Sequence, residues 1–230
     1  MIMRALRTLA GVLLIPAAVG TAIAFYSSMR GIGAEDGVLL VMERGVLCYL
    51  LIHAFVMRPV YLYVLGHEFV HVLATWICGG KVERFRVTPS GGSVTTSKTN
   101  FFIELSPYFV PIYTIMIAPF FWLLERSANA GTFGPEIFVF LIGFTLAFHF
   151  VMTSDALKIR QSDVAKSGIL FSAVLIFIAN LVIVMAVFGP LFEQLSFVYF
   201  IKDAAANSGE MYMRIYDRSR LFIENLQLFI

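Results

Sequence analysis

Val60-Tyr61-Leu62-Tyr63-Val64-Leu65-Gly66-His67-Glu68-Phe69-Val70-His71-Val72-Leu73-Ala74-Thr75-Trp76-Ile77-Cys78 decides how the chain is read. The stretch is mainly apolar and close to the roughly 20 residues a helix needs to cross the hydrocarbon core of a bilayer. Arg58-Pro59 precedes it and Gly79-Gly80 follows; proline breaks an incoming helix and glycine commonly ends one. Three ionisable side chains nevertheless occupy its middle. At about 100° per residue, His67 and His71 lie one turn apart with about 40° of rotation between them, so both imidazoles face one side. Two nitrogens so placed suit a single Zn²⁺ ion, and the pattern His-Glu-x-x-His is that of a zinc site. Glu68 falls about 60° from His71, close enough to act as general base on a water without ligating the metal. Ionisable groups inside a membrane helix are costly to bury and mark function.

The whole chain agrees with a membrane setting. It has 230 residues, of which 59% are hydrophobic and 14% charged, with a mean hydropathy of +0.84. Soluble domains carry about 25% charged residues, so a soluble globule is excluded. A net charge of +2 is too balanced for nucleic-acid binding. Cys48 and Cys78 both lie in apolar stretches and read as packing residues rather than a disulfide framework.

Outward from the central helix, further spans are expected over about 9–26, 38–57, 107–124, 137–153 and 167–188. The first follows Arg4 and Arg7 and resembles a signal peptide, but its length favours a retained anchor. Between 81 and 100 the chain turns polar; Phe85 and Val87 alternate with Arg84 and Arg86, and Ser90-Gly91-Gly92-Ser93 supplies turn residues. A β-hairpin beside the membrane is expected there. Near the C-terminus Met211, Ile215, Phe222 and Leu226 recur at helical spacing, the pattern of an amphipathic helix. The fold class is therefore an all-α polytopic membrane protein: a bundle of five or six transmembrane helices with a short membrane-associated β-hairpin after the His-Glu helix. Its expected organisation is an anchor and accessory helix over 1–58, a core over 59–188 containing the hairpin, and an amphipathic tail over 189–230.

Catalytic zinc usually takes three protein ligands and leaves one position open. Asp155, Asp163, Glu104, Glu136 and His149 are candidates for the third. Asp155 and Asp163 flank one short loop, and Asp163 stands at the head of the last long apolar helix, where backbone N–H groups can fix a carboxylate. His53 and His149 read as hydrogen-bonded structural residues, and Asn180 as interhelical glue.

Gly66-His67-Glu68-Phe69-Val70-His71, followed by Gly79-Gly80-Lys81-Val82 and a short hairpin, resembles the site-2 protease family of intramembrane zinc metalloproteases, and within it the small bacterial branch. Pro107-Tyr108 and the pair Ser162-Asp163 are similar to that branch as well. The likeness covers roughly residues 60–185. Many members carry Asn-Pro-x-x-Asp-Gly or Leu-Asp-Gly around an aspartate ligand, and this chain has neither. The resemblance implies one Zn²⁺ per chain held by His67, His71 and an aspartate, which favours Asp163 over Asp155, with Glu68 catalytic. It implies hydrolysis of a transmembrane protein substrate within the lipid bilayer, no nucleic-acid partner, a regulatory membrane partner or oligomer as an option, and the bacterial inner membrane as the compartment. No substrate-binding residue is legible. A catalytically silent scaffold or chaperone for membrane helices is the alternative function, with the intact His-Glu pattern against it. ZIP-type zinc transporters pair such a pattern with His-Asn-x-x-Asp, which is missing here, and carry a Pro where this chain has Phe69-Val70.

Overall fold

The computed structural model describes residues 2–88, 91–127, 134–159 and 161–227. In chain order the elements are α1 (Ile2–Met29), α2 (Gly37–Phe55), α3 (Val60–Ile77), β1 (Val82–Thr88), β2 (Gly91–Thr96), α4 (Phe101–Leu105), α5 (Ile112–Ser127), α6 (Pro135–Leu157), α7 (Ser162–Ser167), α8 (Ile169–Phe188) and α9 (Phe197–Gln227), with a 3-10 turn at Ser106–Tyr108 between α4 and α5. Among the described residues, α1, α2, α3, α6 and α8 are long and apolar enough to cross a membrane. The expected helical, multi-pass class with one small antiparallel sheet is what the chain adopts.

Contacts divide the chain into two units, Gly33–Ser167 and Met1–Ile32 with Gly168–Ile230. In the first unit α2 lies along α6, and a pair of reciprocal glycines lets the backbones approach. A Cβ on Gly45 would strike the Phe140 carbonyl, and one on Gly143 would strike that of Met42. Asp36 starts α2 by accepting from the Val38 and Leu39 amides at 2.9 and 3.2 Å, an N-cap contact worth about 1 kcal/mol. Tyr49, Ala147, Phe148 and Met152 form a buried cluster on which Tyr63 of α3 and Tyr113 of α5 pack. Gly66 brings α3 against Tyr113, whose hydroxyl donates to the Leu62 carbonyl at 2.6 Å.

The span expected over 107–124 is not one straight helix. It opens inside the 3-10 turn and becomes α5 only from Ile112; Phe101–Tyr108 and Ile112–Phe121 are apolar enough to cross only as a pair, bent by 72°. Pro111 lacks an amide to continue the ladder and disfavours helix at Val110, so the Phe109 and Val110 amides both turn back to the Ser106 carbonyl. Asn100 caps α4 through the Ile103 amide at 2.8 Å. The hairpin forms as expected, but its turn is displaced. Gly91, Gly92 and Ser93 belong to β2 and pair with Thr88, Val87 and Arg86; Ser90 lies outside the described residues. Asp163 also differs in its setting: it occupies the first turn of α7, and Gly168 at φ +93° separates that helix from α8.

In the second unit α9 packs along α1. Tyr212 donates to the Leu13 carbonyl at 2.6 Å, and a Cβ on Gly20 would collide with Ser208. Phe200 and Ala204 are buried there, whereas Ile215 and Phe222 of the expected apolar stripe are exposed.

Candidate metal centre

Helical spacing on α3 turns His67 and His71 to one face, with ring centroids 5.0 Å apart. The aspartate that meets them is Asp163. Its Oδ2 lies 3.6 Å from His71 Nε2 and 4.0 Å from His67 Nε2, and one donor atom from each of the three residues falls within 4.8 Å of the others. Among the described residues they form the group of three such side chains able to hold a metal ion.

The surrounding hydrogen bonds fix what these groups offer. His71 Nδ1 donates to the Ile103 carbonyl at 2.8 Å, so in the neutral ring Nε2 carries the lone pair and points toward Asp163. A backbone carbonyl on the far nitrogen is the usual support of a ligating histidine. The Tyr108 hydroxyl donates to Asp163 Oδ2 at 3.4 Å, and its ring stands edge-on to His67 at 5.1 Å. Burial works to raise the Asp163 carboxyl, but the His71 and His67 imidazoles outweigh it and hold the group below the usual carboxylate range. A divalent metal requires this carboxylate ionised and would take the place of the protons on the two imidazoles. His67 Nδ1 is buried without a hydrogen-bond partner. Two imidazoles and a carboxylate are a donor set that suits zinc.

A profile of the Peptidase M50B-like family matches residues 44–211. The chain belongs to this family. No curated protein matches it, and no solved structure does. The match extends beyond both ends of the likeness drawn from motifs alone, and it makes the chain a member of a peptidase family with a multi-pass membrane architecture.

Within this M50B-like chain, Glu68 is buried at 8% exposure under the hairpin. A Cβ on Gly92 would lie 2.8 Å from Glu68 Oε1, so glycine is what allows β2 to lie on the carboxylate. Two cavities meet at His67 and Glu68. One, about 310 Å³, is polar and reaches His71, Asp163, Glu104, Gln161 and Lys166. The other, about 410 Å³, is lined by Tyr63, Val64, Met152 and Ile159, with Arg58 and Asp155 also on its wall.

The other third-ligand candidates fall outside this group of donors. Asp155 faces α2, with Oδ2 3.3 Å from His53 Nε2 and Oδ1 2.6 Å from Lys158 Nζ. His53 in turn contacts the Tyr49 hydroxyl at 3.2 Å. Glu136 is exposed in the first turn of α6, and His149 is buried on the same helix. Glu104 is buried and accepts from Thr99 and Ser167. The parts that sequence reasoning missed are the Ile103 carbonyl, the Tyr108 hydroxyl and the Gly92 backbone. Only Tyr108 carried a signal, through the Pro107-Tyr108 pair.

Proposed function

We propose that the chain is an intramembrane zinc metalloendopeptidase that hydrolyses peptide bonds of membrane-embedded helices, with one Zn²⁺ per chain. The observation that carries this reading is the convergence of His67, His71 and Asp163 donor atoms within 4.8 Å beside the buried carboxyl of Glu68. His67 and His71 would hold the metal through Nε2, and Asp163 through its carboxylate. A zinc ion held there would supply the Lewis acidity that polarises the scissile carbonyl and makes the attacking water more acidic.

Glu68 takes the proton of that water at its carboxylate and delivers it to the leaving amine. Tyr108 holds Asp163, and the Ile103 carbonyl fixes the tautomer of His71. The polar cavity of about 310 Å³ admits the water that hydrolysis consumes.

A transmembrane helix must unwind before its shielded carbonyls can react. The two-stranded sheet leaves strand edges unpaired, and an unwound segment can add to such an edge. Gly92 of β2 lies on Glu68, so a segment bound along the hairpin is delivered beside the base. Substrate and enzyme share the bilayer, and we assign the bacterial inner membrane from the likeness to the small bacterial branch.

The test is cleavage of a panel of single-span helices by purified protein in lipid nanodiscs. Cleavage by the wild type that disappears in Glu68→Gln and in the presence of a zinc chelator supports the reading. Captured helices that stay intact, with metal bound, would replace it with the silent scaffold.

A further inference from the structure

The three donors of the candidate centre come from two separate helices, and one of these cannot stand alone. Asp163 rides on α7, six residues long, well short of the length at which helices hold themselves together in water. Residues 163 and 167 are four apart and share one face of it. Ser167 is fully buried, and its hydroxyl donates to Glu104 Oε2 of α4. The other oxygen, Oε1, accepts from Thr99 Oγ1 at 3.1 Å, so both carboxyl oxygens are occupied by hydroxyl donors. Glu104 itself is 9% exposed. Its neighbour Ile103 supplies the carbonyl that fixes His71, and Tyr108, in the turn that continues α4, donates to Asp163. A single bent element therefore grips His71, Asp163 and the far end of the Asp163 helix.

We propose that Glu104 is a positioning residue for the metal centre: through Ser167 it clamps α7 to α4 and so holds the Asp163 carboxylate against His67 and His71. The inference rests on the metal reading above. Glu104 lies outside the three-donor group, and each of its oxygens accepts from a hydroxyl. Replacing outer partners of metal ligands typically weakens metal binding by about 10–100-fold; Glu104 stands one step further out, acting through Ser167, so the lower end of about 10-fold is expected. Gln at 104 retains an acceptor and adds a donor, and both hydroxyls can turn to suit it, so the amide keeps the clamp.

The experiment measures apparent zinc affinity by chelator competition in the purified full chain, with the visible spectrum of the cobalt-loaded protein and the thermal midpoint of the apo form. Wild type, Ser167→Ala, Glu104→Leu, Glu104→Gln and Asp163→Ala are compared. The clamp predicts zinc binding weakened by about 10-fold in Ser167→Ala and Glu104→Leu, with altered cobalt bands, and near-wild-type behaviour in Glu104→Gln. Ser167→Ala removes one hydroxyl and decides the matter if Glu104→Leu fails to fold. Wild-type affinity and spectrum in Ser167→Ala would overturn the clamp while leaving the metal reading intact. Zinc loss in Glu104→Gln as complete as in Asp163→Ala would make Glu104 a ligand and overturn it too. A wild type that binds no zinc would instead remove the metal reading, and the clamp with it.

Discussion

Gly92→Ala tests whether the hairpin sets the position of the proposed base. A methyl group at this residue would sit 2.5 Å from Glu68 Cγ and 2.8 Å from Val64 Cγ1. Carbon atoms rest at about 3.5–4.0 Å, so roughly 1 Å of movement is required. Val64 and Glu68 are one turn apart on the same face of α3, and neither can yield toward the other. Glu68 must leave its place or β2 must lift. A displacement of about 1 Å in a catalytic group costs on the order of 100-fold, or about 2.7 kcal/mol of barrier. The three atoms nearest the new methyl belong to Glu68 and Val64, so zinc content should be unchanged. The assay is the initial rate of helix cleavage in nanodiscs, read together with zinc per chain. Gly91→Ala is the control: its Cβ meets nothing within 4 Å, and its cost is backbone strain at φ +152°. A wild-type rate in Gly92→Ala would refute the reasoning, as would a rate that falls only in step with lost zinc.

Other consequences can be checked alongside. Asp155→Ala breaks the contacts with His53 and Lys158; zinc per chain should be retained while stability falls by about 1 kcal/mol or less, read by thermal unfolding. Gly45→Val drives a side chain into the Phe140 carbonyl, so α2 must part from α6, and overpacking should cost about 3 kcal/mol or more in the same melts. For Asp163 the folded value is depressed, so its contribution to apo stability is present above its ordinary value of 3.8 and drains as pH falls through the folded one. The stability gap between wild type and Asp163→Asn should therefore be present above 3.8 and close under stronger acid; a gap that widened as the carboxyl was titrated would contradict the sign.

The His-Glu helix was legible because its signals are local. Apolar length, the flanking Pro59 and Gly79, and a four-residue histidine spacing all lie within α3. The bend after Tyr108 was hidden because hydropathy sums across a break as readily as along a helix; Pro107 and Pro111 were visible, but not the angle they impose. Asp155 and Asp163 flank one loop, and spacing alone does not say which faces α3. The packing of α6 on α2 decides it, since the Gly45 and Gly143 approach turns Asp155 toward His53. Glu104 stood among the ligand candidates as a lone acid in an apolar run, yet its partner Ser167 is 63 residues away, beyond any periodicity. The hairpin tip was misplaced because Gly92, a residue type that normally marks a turn, serves here to lay β2 on Glu68.

His67, His71 and Asp163 are proposed to hold one metal ion. Elemental analysis of purified protein after zinc loading and removal of excess tests it most directly, in the wild type and in the His67→Ala, His71→Ala, Asp163→Ala, Asp155→Ala and Glu68→Gln variants. About one zinc per chain is expected in the wild type, Asp155→Ala and Glu68→Gln, and loss of zinc in the other three. A metal-free wild type, or full zinc in Asp163→Ala, would contradict it.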